Sequence, residues 1–153
     1  MKDGHSGQLV LVVDDDLDLI ELIRDGLTLV GGHKVVAATD GATGLERFFD
    51  VRPDCVVVDV RMPGLNGYQF VRALRGDSET AHTPIIVLSA MAQERDTLAG
   101  LLSGADAYLY KPVKVAELLE TIDRALQLTV AERWERQRLL AGESISSEVE
   151  DER

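Results

Sequence analysis

Several residues able to do chemistry stand directly at the end of apolar, β-branched runs. Asp14 and Asp15 follow QLVLVV, Asp59 closes DCVVVD, Ser89 closes PIIVLS and Lys111 follows AYLY. A carboxylate at the end of so apolar a run is costly to bury unless something neutralises it. Three carboxylates brought together would also repel and raise one another's pKa values. A hard dication relieves both problems. Mg²⁺ prefers oxygen ligands, keeps several waters and takes one or two carboxylates plus phosphate. No His or Cys accompanies these residues at the run ends, which disfavours zinc. A carboxylate, Mg²⁺ and a lysine suit phosphoryl transfer, because metal and ammonium stabilise charge on the transferring group. Asp59 is the candidate nucleophile, forming an aspartyl phosphate.

These residues can act together only if the chain delivers them to one place. Residues 8–13 read as a buried strand, and apolar positions from Leu17 to Val30 then recur at helical spacing until Gly31-Gly32. Residues 33–38 read as a second strand and 42–50 as a short helix. Residues 54–59 are apolar on both faces, as expected for a central strand of a parallel sheet. A helix is predicted over 66–75, a polar loop over 76–83, a strand over 84–89, a helix over 93–103, a strand over 107–110, and a long helix from about 114 to about 140. Five strand–helix alternations predict an α/β fold with a parallel sheet and right-handed crossovers. In such a sheet the ligand site lies outside the carboxyl ends of the strands, where Asp14, Asp15, Asp59, Ser89 and Lys111 are placed.

The chain of 153 residues fits one domain, and its formal net charge of −11 disfavours direct binding to nucleic acid. No apolar run is long enough for a membrane span, and MKDGHSGQ has no apolar signal core. Cys55 cannot form an internal disulfide and reads as a small core residue; a cytoplasmic location is expected. Asp16 reads as a helix cap, Gly64 and Gly67 as turn residues, and His5, His33 and His82 as surface residues.

The motifs VLVVDDD (10–16), VVVDVRMPGLNG (56–67), VLSA (87–90) and GADAYLYKP (104–112) resemble, in order and spacing, the receiver domain of two-component response regulators, the CheY-like family. The resemblance covers about residues 8–127. It implies a flavodoxin-like (βα)5 doubly wound sheet in the order 2-1-3-4-5, for which CheY itself is a known example. By position, Asp59 matches the phosphoacceptor. Asp14 and Asp15 match the acidic pair, Asp15 binding Mg²⁺ (or Mn²⁺) directly and Asp14 through water, with the backbone carbonyl of Arg61 as a further ligand. Ser89 matches the hydroxyl residue that bonds the phosphoryl group and Lys111 the lysine that pairs with it, before a cis Lys111–Pro112 peptide. Tyr108 matches the aromatic that swings inward on activation. The implied partners are a sensor histidine kinase or phosphotransfer protein and an unidentified downstream protein target. The positions two after Asp59 and Ser89, Arg61 and Met91, offer no carboxylate or amide to an attacking water, so slow self-hydrolysis is expected.

Two other function classes compete. An aspartate-nucleophile phosphohydrolase needs a second acid where Arg61 stands. A receiver-like module that takes no phosphate would lack one of the acids or the lysine, and all are present. The expected organisation is a disordered N-terminus (1–7), a receiver domain (8–128), a helical extension (129–141) and an acidic disordered tail (142–153). After Gln127 no helix-turn-helix pattern follows, so a single-domain regulator is expected. The extension TVAERWERQRLL places Trp134, Leu139 and Leu140 beyond the expected core. It is read either as a helix end folding back on the domain, with Glu132 and Arg136 paired at i,i+4, or as a partner surface. The latter would make a homodimer through the last strand–helix face and the C-terminal helix.

Overall fold

The computed structural model describes residues 7–90, 104–136 and 138–139. Its elements run β1 (Leu9–Val13), α1 (Leu17–Leu29), β2 (Lys34–Ala38), α2 (Gly41–Val51), β3 (Cys55–Asp59), α3 (Gly67–Arg75), β4 (Ile85–Ser89), β5 (Ala107–Tyr110) and α4 (Val115–Gln127). All strand pairs are parallel, in the order β2-β1-β3-β4-β5. This is the flavodoxin-like order. The expected helix over 93–103, the expected disorder of residues 1–6 and of the acidic tail, and Met91, His5 and Leu140 all lie outside the described residues.

Successive strand residues point to opposite faces, so each central strand feeds two cores. Leu11, Val13, Val56, Val58, Ile85 and Val87 join Phe70, Val71 and Leu74 of α3 on one face. Val10, Val12, Val57, Ile86 and Leu88 join Ile20, Ile23, Leu27, Leu118 and Ile122 of α1 and α4 on the other. β3 and β4 are buried at every position. That is why their sequences are continuously apolar rather than alternating.

Caps fix where the helices begin. Asp16 Oδ1 accepts from the backbone N–H groups of Asp18 and Leu19, and Asp40 Oδ1 accepts from that of Thr43. Asn66 and Gln69 form a reciprocal capping box at α3. His33 is not a surface residue: it is 2% exposed, with its N–H bonded to the Leu27 carbonyl beneath the end of α1. The double glycine before it turns the chain back under the helix rather than out into solvent.

The predicted long helix over 114–140 is broken. α4 stops at Gln127, Leu128 is extended (φ −66°, ψ 129°), and residues 130–136 form a separate helical segment. The break is built by a capping pair. Thr129 Oγ1 accepts from the Glu132 N–H at 3.1 Å, and Glu132 Oε1 accepts from the Thr129 N–H at 3.4 Å. Glu132 therefore turns back to the cap instead of reaching Arg136, and among the described residues the ion pair within this segment is Arg138–Glu135.

The segment folds back on the domain through Arg133, a buried side chain in a charge-rich run. Its Nε donates to Asp106 Oδ1 at 2.7 Å, and its two terminal nitrogens donate to the carbonyls of His82 and Ala125. Asp106, also buried, accepts from Arg75 at 3.1 Å and from the Ile85 N–H at 2.8 Å. Arg75 in turn holds the carbonyls of Gly104, Ala81 and Thr83. One carboxylate between two guanidiniums thus ties together α3, the 76–84 loop, β4, β5 and the terminal segment. Burial pulls the Arg75 pKa below its ordinary value, with Asp106 opposing the shift.

Candidate functional site

The site stands at the carboxyl end of the sheet, where β1, β3, β4 and β5 finish. Asp14 follows β1 and its N–H bonds the Ala38 carbonyl, which anchors the backbone to β2. Its side chain is fully buried, with Oδ1 accepting from the Asp16 N–H at 2.9 Å. Oδ2 faces the Lys111 ammonium at 3.0 Å and has no other hydrogen-bond partner among the described residues. Asp15 is exposed beside it. Asp59 ends β3, 4% exposed, with Oδ1 3.2 Å from the same ammonium. Oxygens from Asp14, Asp15 and Asp59 lie within 4.8 Å of one another.

Lys111 is carried to this point by its backbone as well as its charge. Its N–H bonds the Ser89 carbonyl at 2.6 Å, and the Lys111–Pro112 peptide is cis, as expected. Ser89 is buried at the end of β4. Tyr108 lies in register with Val87. It is half-buried, its hydroxyl 3.0 Å from the hydroxyl of Tyr68, its ring edge-on to Tyr110. Arg61 is exposed at the mouth, whereas Met62 turns into the core.

The charges here are in tension. Burial, and then the neighbouring Asp14 charge, push the Asp59 carboxyl above the ordinary aspartate value, and Lys111 only partly offsets them. Burial alone would lower the Lys111 pKa, but its contacts with Asp14 and Asp59 outweigh it and hold the ammonium above its usual value. A three-carboxylate cluster with one buried, hydrogen-bond-deficient oxygen, a strained proton balance and hard donors only is suited to a divalent cation.

Two features were not visible in the sequence as parts of the site. Gly67 is not a turn residue: it opens α3, its N–H bonded to the Val60 carbonyl at 3.0 Å. A Cβ there would overlap the backbone carbonyl of Asp59, so the helix can approach the acidic residue only through glycine. Gly64, in contrast, is a true turn position, with φ +75°. Tyr68, the partner of Tyr108, has no signal beyond following Gly67. The capping box at Asn66 and Gln69 was readable as N-x-x-Q.

Comparison with known proteins agrees with this architecture. Residues 10–123 match the response regulator receiver domain model. The chain is 42% identical over 127 residues to the transcriptional regulatory protein PrrA of Mycobacterium leprae, covering 83% of this chain and 53% of that protein. It is 34% identical over 120 residues to the DNA-binding dual master transcriptional regulator RpaA of Synechocystis, covering 78% and 49%. The chain therefore spans about half the length of these curated relatives. Among solved structures, the chemotaxis protein CheY4 of Vibrio cholerae superposes with a TM-score of 0.73 at 32% identity, over 78% of this chain and 99% of that one. A receiver domain from Clostridium thermocellum does so with a TM-score of 0.71 at 28% identity, over 78% and 94%. With its strand order, its acidic cluster and its lysine in place, the chain belongs to the response regulator receiver domain family.

Proposed function

We propose that the protein is a phosphorylation switch in which Asp59 accepts a phosphoryl group from a sensor histidine kinase or phosphotransfer protein in the cytoplasm. The observation that carries this reading is the joint placement of Asp14, Asp59 and Lys111: one ammonium within 3.2 Å of two buried carboxylates at a strand end. An Asp59 oxygen attacks phosphorus as the bond to the donor histidine breaks. Asp14, Asp15, Asp59 and the Arg61 carbonyl would hold Mg²⁺ (Mn²⁺ has similar donors), which when bound supplies charge stabilisation for the transferring group. Lys111 offsets charge on the product, and Ser89 offers a hydroxyl to it. Tyr108, shared between Tyr68 and the β4 side of the sheet, transmits the change to an output surface that a downstream protein reads.

Incubation with acetyl phosphate and Mg²⁺, read by mass spectrometry, should give one phosphoryl adduct on the wild type and none on Asp59→Asn. A wild type that stays unmodified by both this donor and a cognate kinase rejects the reading. Because Arg61 and Met91 offer no carboxylate or amide to position water, the adduct should outlast seconds. Loss within seconds contradicts that part. A homodimer through β5, α4 and the terminal segment is favoured by Val130, Trp134 and Leu139, which are 50%, 61% and 51% exposed. Sedimentation of a Trp134→Ala/Leu139→Ala variant should then show a smaller species than wild type at equal concentration.

A further inference from the structure

On the opposite side of β5 from its pairing with β4, a cleft of about 280 Å³ opens between the strand and α4. Asp106, Ala107, Tyr108 and Leu109 form one wall and Thr121, Arg124 and Ala125 another, with Arg136 of the terminal segment at its rim. The Asp106 carboxylate is already shared between Arg75 and Arg133. Arg124 and Arg136 make no ion pair among the described residues. The cleft thus has a positive rim on a molecule whose formal net charge is −11.

The chain supplies a matching ligand of its own. Residues 143–152, ESISSEVEDE, carry Glu143, Glu148, Glu150, Asp151 and Glu152 and no basic residue. Three residues separate Leu139 from Glu143, so four steps of the chain give a reach of about 14 Å when extended, and the rim residue Arg136 lies one turn before Leu139. We propose that the acidic stretch 143–152 docks in the cleft between β5 and α4 of its own molecule, its carboxylates pairing with Arg124 and Arg136. The length of the connection favours this occupant over a second molecule, because a tethered segment meets the cleft at high effective concentration. Several exposed ion pairs acting together, each weak alone, make the docking sensitive to salt. The stretch would lie over Tyr108, so the docked molecule is a monomer, and it would have to leave before a second copy or another protein could use this face. The docking itself does not rest on phosphotransfer, and its test is read without phosphorylation.

A nitroxide on Ser147→Cys in the full chain provides that test. Cys55 is buried and its thiol is pushed well above the ordinary value by burial, so the label goes to the new site alone. At low ionic strength the backbone amides of Tyr108, Leu109 and Thr121 should lose most of their intensity. They should recover it in Arg124→Glu/Arg136→Glu and, without any substitution at the rim, in high salt. Mixing labelled, isotopically silent protein with unlabelled ¹⁵N protein should leave them sharp. Unbroadened amides, broadening that survives both charge reversal and salt, or broadening that appears only in the mixture each overturn the proposal.

Discussion

Asp59 sits in an electrostatic conflict that Lys111 relieves only in part. Its carboxyl is raised in the folded protein, so between the ordinary aspartate value and the raised one the folded state binds more proton than the unfolded state. The metal-free domain should therefore lose stability as pH rises from about 3.8 through the raised Asp59 value, and stay weaker above it. Asp59→Asn lacks that loss. Its Tm at neutral pH should exceed that of wild type, by roughly 2–4 °C for each kcal/mol of repulsion removed, and the difference should vanish near pH 3. A thermal melt series in pH decides it; equal Tm values at neutral pH would contradict the assignment of Asp59 as the strained acid. Lys111→Ala should act in the opposite direction. It leaves two buried carboxylates without their cation and should cost roughly 2 kcal/mol at neutral pH, read by urea unfolding.

At the scale of elements, the close approach of α3 to β3 makes Gly67 a positioning residue. Gly67→Ala must push α3 away from the Asp59–Val60 backbone, because the obstructing atoms are themselves backbone. A loss of about 2 kcal/mol is expected, with slower phosphorylation of Asp59 by acetyl phosphate. Gly64→Ala, strained but open to solvent, should cost less and leave the phosphorylation rate near wild type. The terminal segment has its own signature. Arg133→Met removes one of two cations from Asp106 and leaves the His82 and Ala125 carbonyls without this donor, for an expected loss of roughly 3 kcal/mol in urea unfolding. Strands and the placement of the candidate site residues were legible in the chain because each central strand is apolar on both faces and each polar residue ends or directly follows a strand. The break at Leu128 was not, because apolar spacing continues across it and only the T-x-x-E pair at Thr129 and Glu132 argued otherwise. Arg133 stands in ERWERQR, where a run of charges looks like a solvated face. Nothing local distinguishes the one guanidinium that finds a carboxylate 27 positions earlier in the chain.

For the whole molecule, the acidic balance and the acidic cluster respond to different ions. Screening salt acts on the formal charge of −11 as a whole. A divalent cation held by Asp14, Asp15 and Asp59, as proposed, would act through binding to the folded state, which at a hundredfold excess over Kd would contribute about 2.7 kcal/mol. Mg²⁺ should raise the Tm of the wild type above that in NaCl of equal ionic strength, and Asp15→Asn should lose most of the excess. Equal melting in the two salts would remove the metal from the site. Among the described residues no helix is long and apolar enough to cross a membrane.

The Asp106 clamp also sets where this protein can be cut and joined. The family match ends at residue 123 and α4 at Gln127, which would be the natural seam for a fused reporter or a grafted output module. A seam there discards Arg133 and leaves Asp106 with one counter-ion at the foot of β5. Chimaeras spliced after Arg136 should express as well-folded receivers, whereas those spliced at Gln127 should be thermolabile whatever module is attached.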